Sequence, residues 1–163
     1  MSSDPEIEEI RHLLAALPNA QDVHLLVLKG HLIAEQLLLG YINACSPNPT
    51  PILTDERMSF AVRSRIAESL REPSELATLH LWEPLRRLGK LRNSLAHQLK
   101  PTSLEKQVDG LIQLYEASKG WRPREYRQGS PTVKLRYAIV GIHQFLSASI
   151  ATAKDLGLRK KSR

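Results

Sequence analysis

The most constraining feature of this chain is one long stretch in which Val23, Val27, Leu28, Leu32, Ile33, Leu37 and Leu38 recur at spacings of mostly three and four. That is the period of one face of an α-helix, and it predicts a long helix opening at Asn19 to Asp22 and running to about Ala44. A helix this long needs partners to cover its stripe, and the rest of the chain supplies further helices rather than strands. Asp4-Pro5 is a helix start, with Asp to cap free N–H groups and Pro at the first helical position, and that helix ends near Ala16 before Pro18. The run Ser46-Pro47-Asn48-Pro49-Thr50-Pro51 is predicted to be a loop, because its prolines lack N–H donors. Thr54 is expected to cap the next helix, with Asp55 and Glu56 in its first turn and Phe60, Ile66 and Leu70 on its apolar side, up to Pro73.

A short segment from Ser74 to Leu81 follows. Pro84 then suits the first turn of a helix reaching about Gln98, ended by Lys100-Pro101. Thr102 or Ser103 is expected to cap a helix whose stripe is Leu104, Val108, Leu111, Ile112 and Tyr115. Gly120 to Pro131 reads as a loop, and the last helix is expected from about Thr132 to Leu156, with Gly157 as its stop. No alternating strand pattern and no repeat is present. The expectation is an all-α bundle of five to six helices forming one domain over 1–163, with a core at about 20–156 and a basic tail at 157–163.

Composition agrees with that. The chain has 163 residues, 42% apolar and 25% charged, with aromatics at only 5%; these values suit one globular domain rather than a disordered segment. Its single cysteine, Cys45, excludes an intramolecular disulfide and makes a Cys-based zinc site untenable. The first residues, Met1 to Glu9, are acidic and polar, and the apolar run Leu25-Leu26-Val27-Leu28 stops at Lys29, so no membrane partner and a cytoplasmic location are expected. The formal net charge is +6, with Arg159, Lys160, Lys161 and Arg163 clustered at the end. A basic balance attracts phosphate polymers, although such tails also serve as solvated ends.

The residues with chemistry concentrate in Arg92-Asn93-Ser94-Leu95-Ala96-His97. Arginine is permanently charged and grips phosphate with two parallel hydrogen bonds. Histidine exchanges protons near neutral pH. Asn93 can hydrogen-bond a phosphate or orient the imidazole. Cleavage of RNA by its own 2′-hydroxyl needs a base, an acid for the leaving 5′-oxygen and a cation on the phosphate, and it requires no metal. The bland alternative is an arginine paired with an acid on a neighbouring helix and a late-helix histidine near free carbonyls. Fourteen arginines and six histidines make about one or two chance matches to so loose a spacing expected. Arg136 and His143 are such a second match, read as packing or surface residues seven apart on one helix face.

An arginine followed by Asn, then a histidine after four intervening residues, resembles the motif of the HEPN superfamily. Gly30-His31-Leu32-Ile33-Ala34-Glu35-Gln36-Leu37-Leu38 is similar to the early long helix of such domains. Met58-Ser59-Phe60 is similar to the start of the next helix, and Leu88 to His97 to the motif helix. The resemblance covers roughly residues 20 to 116. It implies a HEPN-like bundle that dimerises through the motif helix and acts as a metal-independent endoribonuclease without cofactors. The catalytic residues would be Arg92, Asn93 and His97, with Glu35 supporting them by orienting Arg92 or His97. It also implies a toxin or defence setting, with an antitoxin or regulatory protein as a possible partner. Five residues along an ideal helix separate two side chains by about 140°, so Arg92 and His97 do not project together from one helix, and a two-fold pair of motif helices would build a composite cleft. The runner-up is a non-catalytic interaction or regulatory module that binds a protein, nucleotide or RNA on the same fold. A third reading is a basic dimeric adaptor without a ligand.

Two further groups are candidates. Arg86, Arg87 and Lys90 on the motif helix could guide an RNA backbone, or form a solvated face. Lys119, Arg122, Arg124 and Arg127, interleaved with Trp121 and Tyr126, could bind single-stranded RNA by charge and stacking, or form a solvated loop with Trp121 packed on the bundle. His24, His31 and Glu35 share one helix stripe. A metal site needs three convergent ligands, so a packed or helix-paired role is expected for them and no metal is assigned.

Overall fold

The structure is a computed structural model; it describes residues 5–18, 22–71, 81–97, 103–118 and 120–161, with the side chains of 5–10 and 158–161 left aside. Among the described residues it is all-α. Six helices of ten residues or more, α1 (Pro5–Ala16), α2 (Val23–Cys45), α4 (Phe60–Ser69), α5 (Trp82–His97), α6 (Leu104–Ala117) and α8 (Pro131–Lys161), are joined by two single-turn helices, α3 (Thr50–Thr54) and α7 (Arg124–Gln128).

The predicted ends hold where a cap makes them. Asp22 accepts a hydrogen bond from the Leu25 N–H at 2.9 Å and opens α2, which satisfies one of the four free donors at a helix start. Two boundaries differ from the sequence expectation, at Thr54 and at Gly157, while Ser103 stands where a cap was expected. Thr54 does not cap the helix after the proline run; it ends α3, and its hydroxyl donates back to the Thr50 carbonyl at 2.8 Å. The next helix starts at Phe60, capped by Ser59, because Asp55 accepts from the Arg57 N–H at 3.0 Å and turns the chain first. Ser103 takes the cap position of α6 in a left-handed conformation with φ 77°, without a side-chain cap bond. Gly157 does not stop α8, which continues to Lys161; its φ is not positive, and a helical glycine lacks only the propensity of alanine. Part of the expected basic tail is therefore helical backbone. Pro73, the segment from Ser74 to His80, and Lys100-Pro101 lie outside the described residues.

α2 is the central element. It packs most extensively on α8 and also meets α3, α4 and α5, while α6 closes on α5 and α8. By length and composition it is apolar enough to cross a membrane, which the sequence reading, stopped by Lys29, did not anticipate. In the bundle its Leu26, Val27, Ala34, Leu38, Tyr41 and Ile42 are buried. Gly30 sets the spacing to α8, since a Cβ there would lie 2.7 Å from Ile139 Cγ2. Trp82 joins two sides of the core, with its ring 5.8 Å from Tyr41 and 5.2 Å from Phe145; aromatic pairs at such separations favour tilted and edge-on geometry.

A cationic cleft between α2, α4 and α5

Along one side of the bundle, α2, α4 and α5 enclose a cleft of about 550 Å³ lined by His31, Glu35, Phe60, Arg63, Arg86, Lys90, Arg92 and Asn93, among others. Its floor depends on a glycine. A Cβ on Gly89 would stand 2.7 Å from Phe60 Cδ1, so only a bare backbone lets the Phe60 ring lie against α5. That ring in turn meets the His31 imidazole at 4.4 Å between centroids.

Arg92 and Asn93 both line this cleft, joined by a bond in which Arg92 Nη1 donates to Asn93 Oδ1 at 3.2 Å. Arg92 forms no ion pair among the described residues. Its charge acts instead on His31. The cleft's other cations divide into neutralised and free. Arg86 is held by Glu83 at 2.9 Å and by Glu68. Burial works against its charge, but the hydrogen bonds of those two carboxylates outweigh it and raise its pKa. Arg63 pairs with Glu35 at 3.7 Å and donates to the Asp55 carbonyl at 2.9 Å. Lys90 is exposed, and like Arg92 it has no ion pair among the described residues.

Two expected site residues stand elsewhere. His97 is the exposed last residue of α5 and is not part of the cleft wall, in keeping with the wide angle between positions five apart on a helix. Arg87 points to α6: a Cβ on Gly110 would come 2.8 Å from its Nη2. The role expected of Glu35 is also revised. It lines the cleft, but its ion pair is with Arg63 rather than with Arg92 or His97.

His31 was expected to be a packed or helix-paired side chain. It is 4% exposed, and it also lines the cleft. Its Nδ1 is buried without a hydrogen-bond partner. Burial lowers its pKa, Glu35 opposes that and Arg92 adds to it. Arg63, Arg65 and Phe60 complete the wall. The sequence signal that would have found them is the Ser59 cap, which fixes the register of α4.

A second basic surface lies on α6, α7 and α8. Arg122 and Arg127 line a depression of about 560 Å³ with Glu116, Gly120, Tyr126 and Lys134. Arg124 is not in it; its Nε donates to Gln128 Oε1 at 3.3 Å. The loop expected from Gly120 to Pro131 contains the short helix α7 and is pinned at both ends. Tyr115 donates to the Trp121 carbonyl at 2.6 Å and Tyr126 to Glu116 at 2.9 Å. Trp121 rests edge-on against Tyr137 at 5.8 Å and keeps 48% exposure, so it is only partly packed. Lys119 lies outside the described residues. The second Arg–His match serves packing: Arg136 bonds the Leu14 carbonyl, and His143 bonds the Gly30 carbonyl at 2.8 Å. Among the described residues no three His, Cys, Asp or Glu side chains gather as metal ligands would.

No family model matches the chain, and comparison with curated proteins and with solved structures gives no match. What fold and site define together is a class by geometry: an all-α bundle with a cationic cleft on the side of its central helix.

Proposed function

We propose that this chain is a metal-independent, HEPN-like endoribonuclease that works as a homodimer on single-stranded RNA. The observation that supports this is the pairing of Arg92 with Asn93 on the wall of a cleft where Arg92 and Lys90 form no ion pair among the described residues. A free guanidinium beside an amide matches the phosphate of an RNA chain, which offers several acceptor oxygens. His97 stands outside the cleft of its own chain. In the proposed dimer, two-fold pairing of α5 brings His97 of a second copy to the mouth of the cleft.

The Trp121 surface extends the same reading. The exposed Trp121 indole offers a stacking platform, and Arg122 and Arg127, which line a depression with the adjoining Gly120, offer two cations to a strand passing over the bundle. Arg122→Glu combined with Arg127→Glu is expected to weaken RNA binding and flatten its salt dependence.

The test incubates wild type, Arg92→Ala and His97→Ala with labelled RNA pools in EDTA and maps cut positions and product ends. Cuts by wild type alone, ending in 2′,3′-cyclic phosphate, support the reading. The exposed position of His97 favours a second reading, a binding module on the same fold. RNA binding without cleavage, unchanged by His97→Ala, would select it.

A further inference from the structure

His31 and Arg63 each bring to the cleft wall a buried nitrogen without a hydrogen-bond partner among the described residues, and of the two only the imidazole exchanges a proton near neutral pH. A buried imidazole is normally tied by a hydrogen bond; His143 has one, from Nε2 to the Gly30 carbonyl, although its Nδ1 has no partner among the described residues. His31, one residue along the same helix, is 4% exposed with Nδ1 unpartnered. Its position is nevertheless fixed. Phe60 covers the ring at 4.4 Å, and Gly89 leaves room for Phe60. Beside it the cleft supplies Arg92, a cation with no ion pair among the described residues, close enough to act on its protonation. A held, neutral imidazole beside a free guanidinium is the pair of groups that transfer within a phosphodiester requires.

We infer that His31 is the general base of this cleft, taking the proton of a ribose 2′-hydroxyl while Arg92 holds the adjacent phosphate. The inference rests on the nuclease reading above and deepens it, since it assigns the base within the cleft of each chain. The 2′-oxygen gives its proton to the imidazole and bonds to phosphorus. The P–O5′ bond breaks with its electron pair on O5′, which takes a proton from the imidazolium of His97 on a second copy. The products are a 2′,3′-cyclic phosphate and a 5′-hydroxyl, and solvent exchange returns both histidines to their starting states.

The charged groups around His31 are Glu35 on its own helix, Arg63 on α4, already paired with Glu35, and Arg92 and Lys90 on α5. From α8, His143 bonds the neighbouring Gly30. Burial is the largest influence on the pKa of His31 and lowers it, Glu35 opposes it and Arg92 adds to the lowering, so the ring is neutral near pH 7, as a base must be.

The experiment has two arms, both on the full chain. Histidine Cε1–H resonances are followed by NMR as uridine 3′-monophosphate is added, with the His31 signal assigned by its loss in His31→Gln. The expected result is a shift of that signal and a rise in its pKa, both absent in Arg92→Ala. A His31 signal unmoved at millimolar nucleotide overturns the inference. In the second arm, His31→Gln, shown folded by circular dichroism, is expected to cut RNA about 10²–10⁴-fold more slowly and to lose the acidic limb of the pH–rate profile. If His31→Gln cuts at the wild-type rate, the base assignment falls and the nuclease reading stands. If wild type cuts nothing although His31 senses the nucleotide, the nuclease reading falls with the base role, and a ribonucleotide-binding cleft is left.

Discussion

His31 and His143 make a controlled comparison inside one molecule, since both are buried, one on the first half of α2 and the other packed against it. His143 is in the seam between α2 and α8. Its Nε2 donates to the Gly30 carbonyl, which fixes the neutral tautomer, and burial pushes its pKa down to about 4 against the weaker pull of that bond. Around it are Ile139, Val140 and Ile142, none of them exposed. His31 faces the other way, toward α4 and α5, where four arginines, a lysine and three glutamates line an open cleft. Burial alone therefore does not separate a structural imidazole from a functional one. What separates them is the space beside them: both leave Nδ1 without a partner among the described residues, but His143 sits in the seam between α2 and α8 and His31 on the wall of a cleft.

That contrast predicts unequal stability costs. His143→Ala removes a side chain from a filled seam and is expected to destabilise by about 3 kcal/mol, in the range of large-to-small core changes. His31→Ala opens onto a cleft that water can enter and should cost about 1 kcal/mol. Urea unfolding with unchanged m-values measures both. Equal losses would make His31 a core residue and dissolve the comparison.

A second effect of similar size comes from pH. His143 has a folded pKa of about 4 against an ordinary value of 6.5, so between those values the unfolded chain binds a proton that the native state refuses. Stability is complete above about pH 6.5 and falls as pH drops toward 4, by about 3 kcal/mol at 1.36 kcal/mol per unit. His31 shifts in the same direction. His143→Gln keeps a donor for the Gly30 carbonyl and cannot titrate, so it should remove most of this slope. An unchanged slope would assign it elsewhere.

The two glycines below these histidines sharpen the contrast at smaller magnitude. Alanine at Gly30 would drive a methyl against Ile139, which is fully enclosed. Overpacking of about 1–3 kcal/mol, less about 1 kcal/mol gained in helix propensity, leaves a net loss of roughly 1 kcal/mol. Alanine at Gly89 meets Phe60, which is half-buried and can swing away. Its melting temperature should barely move, while nucleotide binding in the cleft should weaken, because the ring that holds His31 has been displaced.

How legible these regions were differs for a physical reason. The helices were readable from local signals: Asp22 as a cap, the three-and-four spacing in α2, and Pro84 near the start of α5. The boundary that failed at Thr54 depended on competing local bonds. Arg92, Asn93 and Glu35 were legible as site candidates, and the structure brings these three into one cleft. His31 was visible as a residue but not as a cleft group, because its setting is made by Phe60 and Gly89, which lie 29 and 58 positions further along the chain. A pairing at that separation leaves no periodic trace. His97 shows the converse: its spacing from Arg92 was plain, but a helix turns the two apart.

The smallest effect isolates electrostatics from packing. Glu35 pairs with Arg63 at 3.7 Å, with 31% of the carboxylate side chain exposed, so Glu35→Gln should cost no more than about 0.5 kcal/mol of stability. Its consequence for His31 should nevertheless be measurable. Glu35 is the group that raises the pKa of His31 against burial and Arg92, and without it the pKa should fall further. NMR titration of the His31 Cε1–H reads this directly, and His143 serves as the internal control whose midpoint should stay in place. A fall at His31 alone would show that the cleft is one electrostatic unit in which Glu35 holds the base strong enough to accept a proton. Equal movement at both histidines would mean that the substitution had loosened α2 as a whole, and the separation between seam and cleft would no longer hold.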